Sequence, residues 1–145
     1  MSIRRIHSKG SFRQEEAIAA GTISPGDLIQ LDSNGNVVVH NTDGGYAEKA
    51  FAQEDQLQGN TVNDDYVVDS IVTYLLPVQG SEVNALIKAG ETIAIGDKLI
   101  SGADGTLIED ASAAGTVQEI VAVAVEANNL SASAAVNTLS AVRIV

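Results

Sequence analysis

Thr22-Ile23-Ser24-Pro25-Gly26-Asp27-Leu28-Ile29 leads to a turn at Asn34-Gly35. The phrase returns seventy residues on as Thr92-Ile93-Ala94-Ile95-Gly96-Asp97-Lys98-Leu99-Ile100, with a turn at Asp104-Gly105. Slightly out of step, Ala50-Phe51-Ala52-Gln53-Glu54 is echoed by Ala122-Val123-Ala124-Val125-Glu126. Repetition of this kind predicts two copies of one β-unit, 20–54 and 89–126, packed into one domain. In each copy the glycine permits a tight turn into a strand, and Asp27 or Asp97 is placed to accept hydrogen bonds from nearby amides. Asn34-Gly35 suits a two-residue hairpin with positive φ at both central positions. These are structural roles; the repeat carries no nucleophile, base or metal cluster.

Outward from the repeat, the signals are mostly β. Residues 47–52, 66–68 and 71–76 are predicted strands, the last ending at Pro77, because β-branched and aromatic side chains fit a pleated surface. The polar stretch 53–65 reads as a long surface loop. Residues 120–125 form an apolar run short enough for a strand buried on both faces, and 139–145 a final strand with Arg143 facing out. Residues 111–115 and 128–135 read as loops. One helix is expected at 81–89: Ser81 caps it, Val83, Leu86 and Ile87 share a face, and Gly90 closes it. For residues 12–20 a turn or two of helix and an irregular strand both fit. The expectation is a mainly β fold, a small barrel or sandwich with one short helix and an extended N-terminal arm.

The chain has 145 residues and no cysteine, enough for one domain with a core that needs neither disulfide nor thiolate metal site. Its formal charge of −11 is unevenly placed. Arg4, Arg5, Lys9 and Arg13 give the first thirteen residues +4; the other four basic and nineteen acidic residues give the rest −15. This divides the chain into a basic arm, 1–13, and a β-rich body, 14–145. An acidic body repels nucleic acid. No apolar run approaches the roughly 20 residues that span a bilayer, and no apolar signal core follows the basic start. A soluble protein made in a cytoplasm is the expectation. A short basic arm on an acidic body suits a tether to another surface.

The catalytic inventory is thin. His7 lies in the arm, and His40, alone at a strand end, is expected to face solvent. No phosphate loop, Gly-x-Ser-x-Gly elbow or His-Glu-x-x-His occurs. Asp32, Asn34, Asn36 and Asp43 fall at calcium-loop spacing, but the glycine is one place early and Val37-Val38-Val39 is a strand, so a hairpin explains them better. Asp64-Asp65 and Glu109-Asp110 are sequence neighbours, which point apart on a strand rather than pairing for acid–base work. The reading is a non-enzyme with no cofactor, metal or catalytic residue.

The segment 20–29, the Asn34-Gly35 hairpin and Ala50-Phe51-Ala52-Gln53-Glu54 together resemble the capsid decoration (cement, or head-stabilising) proteins of tailed bacteriophages. Pro77 to Gly80, Ala85-Leu86-Ile87-Lys88-Ala89-Gly90, Gly96-Asp97-Lys98-Leu99, Val123-Ala124-Val125-Glu126 and Val142-Arg143-Ile144-Val145 fit the same pattern, over roughly residues 20–145. The resemblance implies a β-tulip or related barrel and a virion protein, made in the host cytoplasm, on the outer capsid surface. It implies a homotrimer, with a dimer as the alternative, that binds the major capsid protein after expansion and resists DNA pressure, with no nucleic-acid or membrane partner. The capsid-binding arm would use Arg4, Arg5, Ile6, Lys9, Phe12 and Arg13, adding a strand to an exposed edge. A tail or baseplate β-domain and a β-clip ligand-binding domain are the rival readings.

Overall fold

Each copy of the repeated phrase turns into a hairpin whose first strand takes a third strand on its other side. The computed structural model describes residues 5–111, 118–132 and 136–145. Its strands are β1 (His7–Lys9), β2 (Phe12–Ile18), β3 (Leu28–Leu31), β4 (Val37–Val39), β5 (Ala50–Ala52) and β6 (Ile71–Pro77). After them come β7 (Glu82–Ile87), β8 (Thr92–Ile93), β9 (Lys98–Ser101), β10 (Leu107–Glu109), β11 (Ala122–Ala124), β12 (Asn128–Asn129) and β13 (Thr138–Ile144). A single 3-10 turn, Gln56–Gln58, interrupts the loop before β6.

The two copies share one topology over far more of the chain than the repeated phrase. The first sheet runs β2-β6-β5-β3-β4. In the second, β7, β13, β11, β9 and β10 follow in the same order and close into a five-stranded barrel through the parallel contact of Leu107 with Ile87. The first copy has a matching parallel bridge, Ala19 to Val37. Even the minor contacts repeat: Ile23 bridges Tyr66 as Ile93 pairs with Asn128. The turns entering β3 and β9 are near-identical. Gly26 N donates to Ala52 O and Gly96 N to Ala124 O, both at 2.8 Å. Ser24 N donates to Asp27 Oδ2 and Ala94 N to Asp97 Oδ2, also at 2.8 Å. Gly26 and Gly96 hold φ of 93° and 94°, which a side chain disfavours.

Strand alternation sends the first copy's apolar side chains to two cores. Ile29, Ala50, Ala52, Val72 and Tyr74 fill a cluster of its own. Their neighbours Leu28, Phe51 and Leu75 point the other way, into the cluster that also fills the second barrel. Phe51, the largest fully buried side chain, thus bonds one copy to the other. The buried apolar run at 120–125 is narrower than expected, with β11 set between β9 and β13.

Several expectations need correction, the smallest at Asn128–Asn129, expected in a loop, which is β12, paired with β8. Residues 81–89 are not a helix: Glu82–Ile87 is a strand with Val83, Ala85 and Ile87 buried in alternation and six residues paired to β13. Ala, Leu and Lys favour a helix locally, but partners on both sides override a weak intrinsic preference. Residues 66–68 are not a strand either. Only Tyr66 bridges; a turn through Asp69, at φ 70°, leaves Val67 and Val68 exposed. The division at 13/14 also fails to follow the fold, because it falls inside β2, which is a strand paired residue by residue with β6. The expected loop 111–115 lies, after Ala111, outside the described residues.

Candidate functional site

The hairpin turn of the second copy inserts into the first. Gly105 O accepts from Leu28 N at 2.7 Å, and Gly105 N donates to His40 O at 3.2 Å. A Cβ on Gly105 would lie 2.7 Å from Asp27 Oδ1 and 3.1 Å from Val39. In return, the Pro25-Gly26 corner seats on the second copy: Leu86 N donates to Gly26 O at 3.1 Å, and a Cβ on Gly26 would lie 2.4 Å from Leu139 Cδ2. Both glycines are therefore demanded twice, by φ and by close approach.

Polar groups are sealed in this joint. His40 is buried, against the expectation that it faces solvent, and its ring is held at both nitrogens: Nδ1 lies 2.6 Å from Ser101 Oγ and Nε2 lies 2.6 Å from Tyr46 O. Tyr46 O can only accept, so Nε2 carries a proton there. Ser101 is fully buried, so this Ser–His pair has no access to a substrate and joins the copies instead. Asp27 is buried as well. Burial pushes its carboxyl up to about 7; the Ser24 amide opposes that shift, and Asp65 and Asp104 add to it by repulsion. Asp104 is the contrast. Partial burial raises it, but the Thr106 hydroxyl and amide and the nearby Lys88 outweigh burial and hold it below the usual range.

The N-terminal segment forms a second feature. From Arg5 onward it is extended and lies on the body. Ile6 is fully buried, its N donating to Glu54 Oε2 at 3.0 Å and its O accepting from Asn84 N at 2.7 Å. β1 pairs antiparallel with β7. Glu54 is itself buried, its other oxygen taking the Gln56 amide at 2.8 Å. Its repeat counterpart, Glu126, takes the Ala141 amide at 2.9 Å. Each copy thus uses the same glutamate on a backbone amide, and the first uses it on the docked segment. A cleft of about 450 Å3 lies beside Arg5, Phe12, Gln14, Glu54 and Leu57.

The expected arm residues divide by direction. Arg5, Lys9 and Arg13 are exposed, with Lys9 3.9 Å from Glu82 and Arg13 2.5 Å from Glu15. Ile6 and Phe12 pack inward, Phe12 with its ring centroid 4.4 Å from that of His7. Arg4 lies outside the described residues. Asn34 and Gly35 sit in an exposed turn, where Asp32 Oδ1 accepts from Asn34 N and Asn36 N. That use of Asp32 is the hairpin role. Sequence reasoning missed Glu54, His40 and Ser101; the echo of Glu54 in Glu126 was the one signal available. Among the described residues no group of three or more His, Asp or Glu is placed to hold a metal, and no helix is long and apolar enough to cross a membrane.

No protein-family model matches the chain, and no curated protein sequence matches it. A solved structure does. The chain is similar to the head fiber gp8.5 N base of bacteriophage phi29, with a TM-score of 0.58 over 93% of this chain and 95% of that one, at 14% identity. The likeness is one of fold and extends over most of both chains.

Proposed function

We infer that this protein is a structural component of a bacteriophage head. The observation that carries the reading is the whole-chain likeness to a head fiber base. The finer assignment is a decoration protein on the outer surface of the expanded head. It would bridge major capsid protein subunits and stabilise the shell against DNA pressure, after synthesis in the host cytoplasm. The protein acts as a homo-oligomer, a trimer at three-fold positions in the simplest case. Many copies with modest individual affinity hold the shell together because tethering makes each further contact intramolecular.

The basic segment supplies the capsid contact in this reading. Ile6 and Phe12 face inward, so Arg5, Lys9 and Arg13, with Arg4, are the groups offered to acidic capsid surfaces. Deleting residues 2–13 is a poor test, because it removes a buried core residue and two strand segments. Charge reversal of Arg5, Lys9 and Arg13 leaves the core in place. Purified protein is added to expanded and unexpanded heads and bound protein is measured by sedimentation. Saturable binding confined to expanded heads, weakened by charge reversal and by salt, is expected. Equal binding to both head forms, or none, discards the decoration role. A base carrying another head appendage is the second reading, favoured by the 95% coverage of the fiber base; that protein would bind heads and recruit a further virion component.

A further inference from the structure

The joint inside the chain uses one corner and one sheet face, and leaves a second corner and a second face unused. The used corner is Pro25-Gly26. The used face is the cross-strand pair Leu86 and Leu139. Their counterparts follow from the ladders. The parallel bridges pair Ala19 with Val37 and Ile87 with Leu107, while Tyr74 lies opposite Ala52 as Val142 lies opposite Ala124. In that register the pair Ile18–Ile71 of the first copy stands where Leu86–Leu139 stands in the second. Ile18 is 40% and Ile71 56% exposed, and the two line a shallow groove with Ala17 and Glu16. The counterpart of Pro25-Gly26 is Ile95-Gly96. Ile95 is 71% exposed, and no atom lies within 4 Å of where a Gly96 Cβ would sit.

We propose that the Ile95-Gly96 corner of one chain seats on the Ile18–Ile71 groove of a second, identical chain. The contact repeats between chains what Pro25-Gly26 makes with Leu86–Leu139 within one. The inference rests on the self-association read above and assigns its surface. Two arguments converge on this occupant. Both patches are exposed isoleucines whose counterparts in the other copy, the buried Pro25-Gly26 corner and the partly buried Leu86 and Leu139, pack against each other. The same placement also carries the Asn34-Gly35 turn of the second chain to Asp97 of the first, as Gly105 lies on Asp27. Gly35 keeps a glycine, with open space around its Cβ position, for that approach. The contact joins two different patches, so it is head to tail and generates a ring where the rotation closes.

Light scattering on the eluting full-length chain tests this. The wild type is expected at a multiple of 15.0 kDa. Ile95→Glu removes the corner and Ile71→Glu the groove; each is expected to weaken assembly roughly tenfold or more and elute as monomer. Both positions are exposed, so circular dichroism melts should match wild type; Ile18→Glu is the second groove variant if Ile71→Glu melts early. An equimolar mixture of Ile95→Glu and Ile71→Glu retains one good corner and one good groove. It is expected to form a dimer that grows no further, a result a two-fold contact does not give. A wild-type oligomer that both variants leave intact, or a mixture that stays monomeric, overturns the joint while leaving self-association standing. A monomeric wild type removes self-association itself, and the joint with it.

Discussion

Gly26-Asp27 and Gly96-Asp97 are the same turn in two settings. Their φ angles, amide contacts and aspartate hydrogen bonds agree, yet one lies sealed beneath the other copy and the other lies at the surface. The contrast separates what a turn needs for itself from what a neighbour demands of it. Glycine's backbone freedom is needed in both; absence of a Cβ for packing is needed only at Gly26. The aspartate caps the turn in both, but only Asp27 gives up hydration to do so.

Alanine in place of the two glycines gives the widest split. Gly26→Ala meets both the positive-φ penalty and Leu139, for a loss of roughly 4 kcal/mol, whereas Gly96→Ala meets only the first, about 1 kcal/mol. Urea unfolding midpoints measure both, and equal losses would mean that close approach contributes nothing. Next is pH. The folded pKa of Asp27, about 7, lies above its ordinary 3.8, so the folded state holds this proton more tightly than the unfolded chain does. That contribution is fully present below the unfolded value and is lost as pH rises through about 7. The difference amounts to roughly 4 kcal/mol between pH 4 and pH 8. Asp27→Asn keeps an acceptor for Ser24 N without the charge and is expected to remove this part of the slope; an unchanged profile assigns the slope elsewhere.

Ser101→Ala leaves a buried nitrogen of His40 without its partner and is expected to lose about 2 kcal/mol. Its positional counterpart Leu31 is half exposed, and Leu31→Ala should lose well under that. Thermal melts at fixed pH compare the pair. Smallest is Asp97→Ala, about 0.5–1 kcal/mol, because water can replace the lost acceptor at Ala94 N. A larger loss there would mean that the exposed turn is covered in solution, which links this measurement to the joint between chains.

Local chemistry was legible and neighbours were not. The Gly-Asp turns follow from residue type alone, since φ and a side-chain acceptor decide them within four residues; at Asn34-Gly35 only Gly35 takes positive φ, and the turn is wider than the two-residue hairpin expected there. The repeat itself was legible only at its corners. β2 and β7 have matching places in the fold but share little beyond Ala17-Ile18 and Ala85-Leu86, so the duplication of all five strands was hidden. Six residues at 82–87 are too few to separate a period of two from one of 3.6, and Ala85, Leu86 and Lys88 pulled the reading toward a helix. The basic segment looked like a tether because its four charges outweigh its few apolar side chains in composition. Ile6 is nonetheless the residue that docks it. The unequal burial of two identical turns could not be read at all, because it depends on which copy the other one covers.

The closed second barrel has a consequence for synthesis. Its β7–β10 contact lets it complete a ring from residues 82 onward. The first copy closes through its own Ala19–Val37 bridge but stays incomplete, since Gly26 waits for Leu139, Leu28 for Gly105, and β1 for β7. Chains leave the ribosome from the N-terminus. The earliest residues to emerge are thus among the last to find their places, and the Phe51 face stays uncovered while some ninety further residues are made. Crowded polysomes would hold many such half-chains side by side, and the interval before residue 139 appears is when they are most open to pairing with one another.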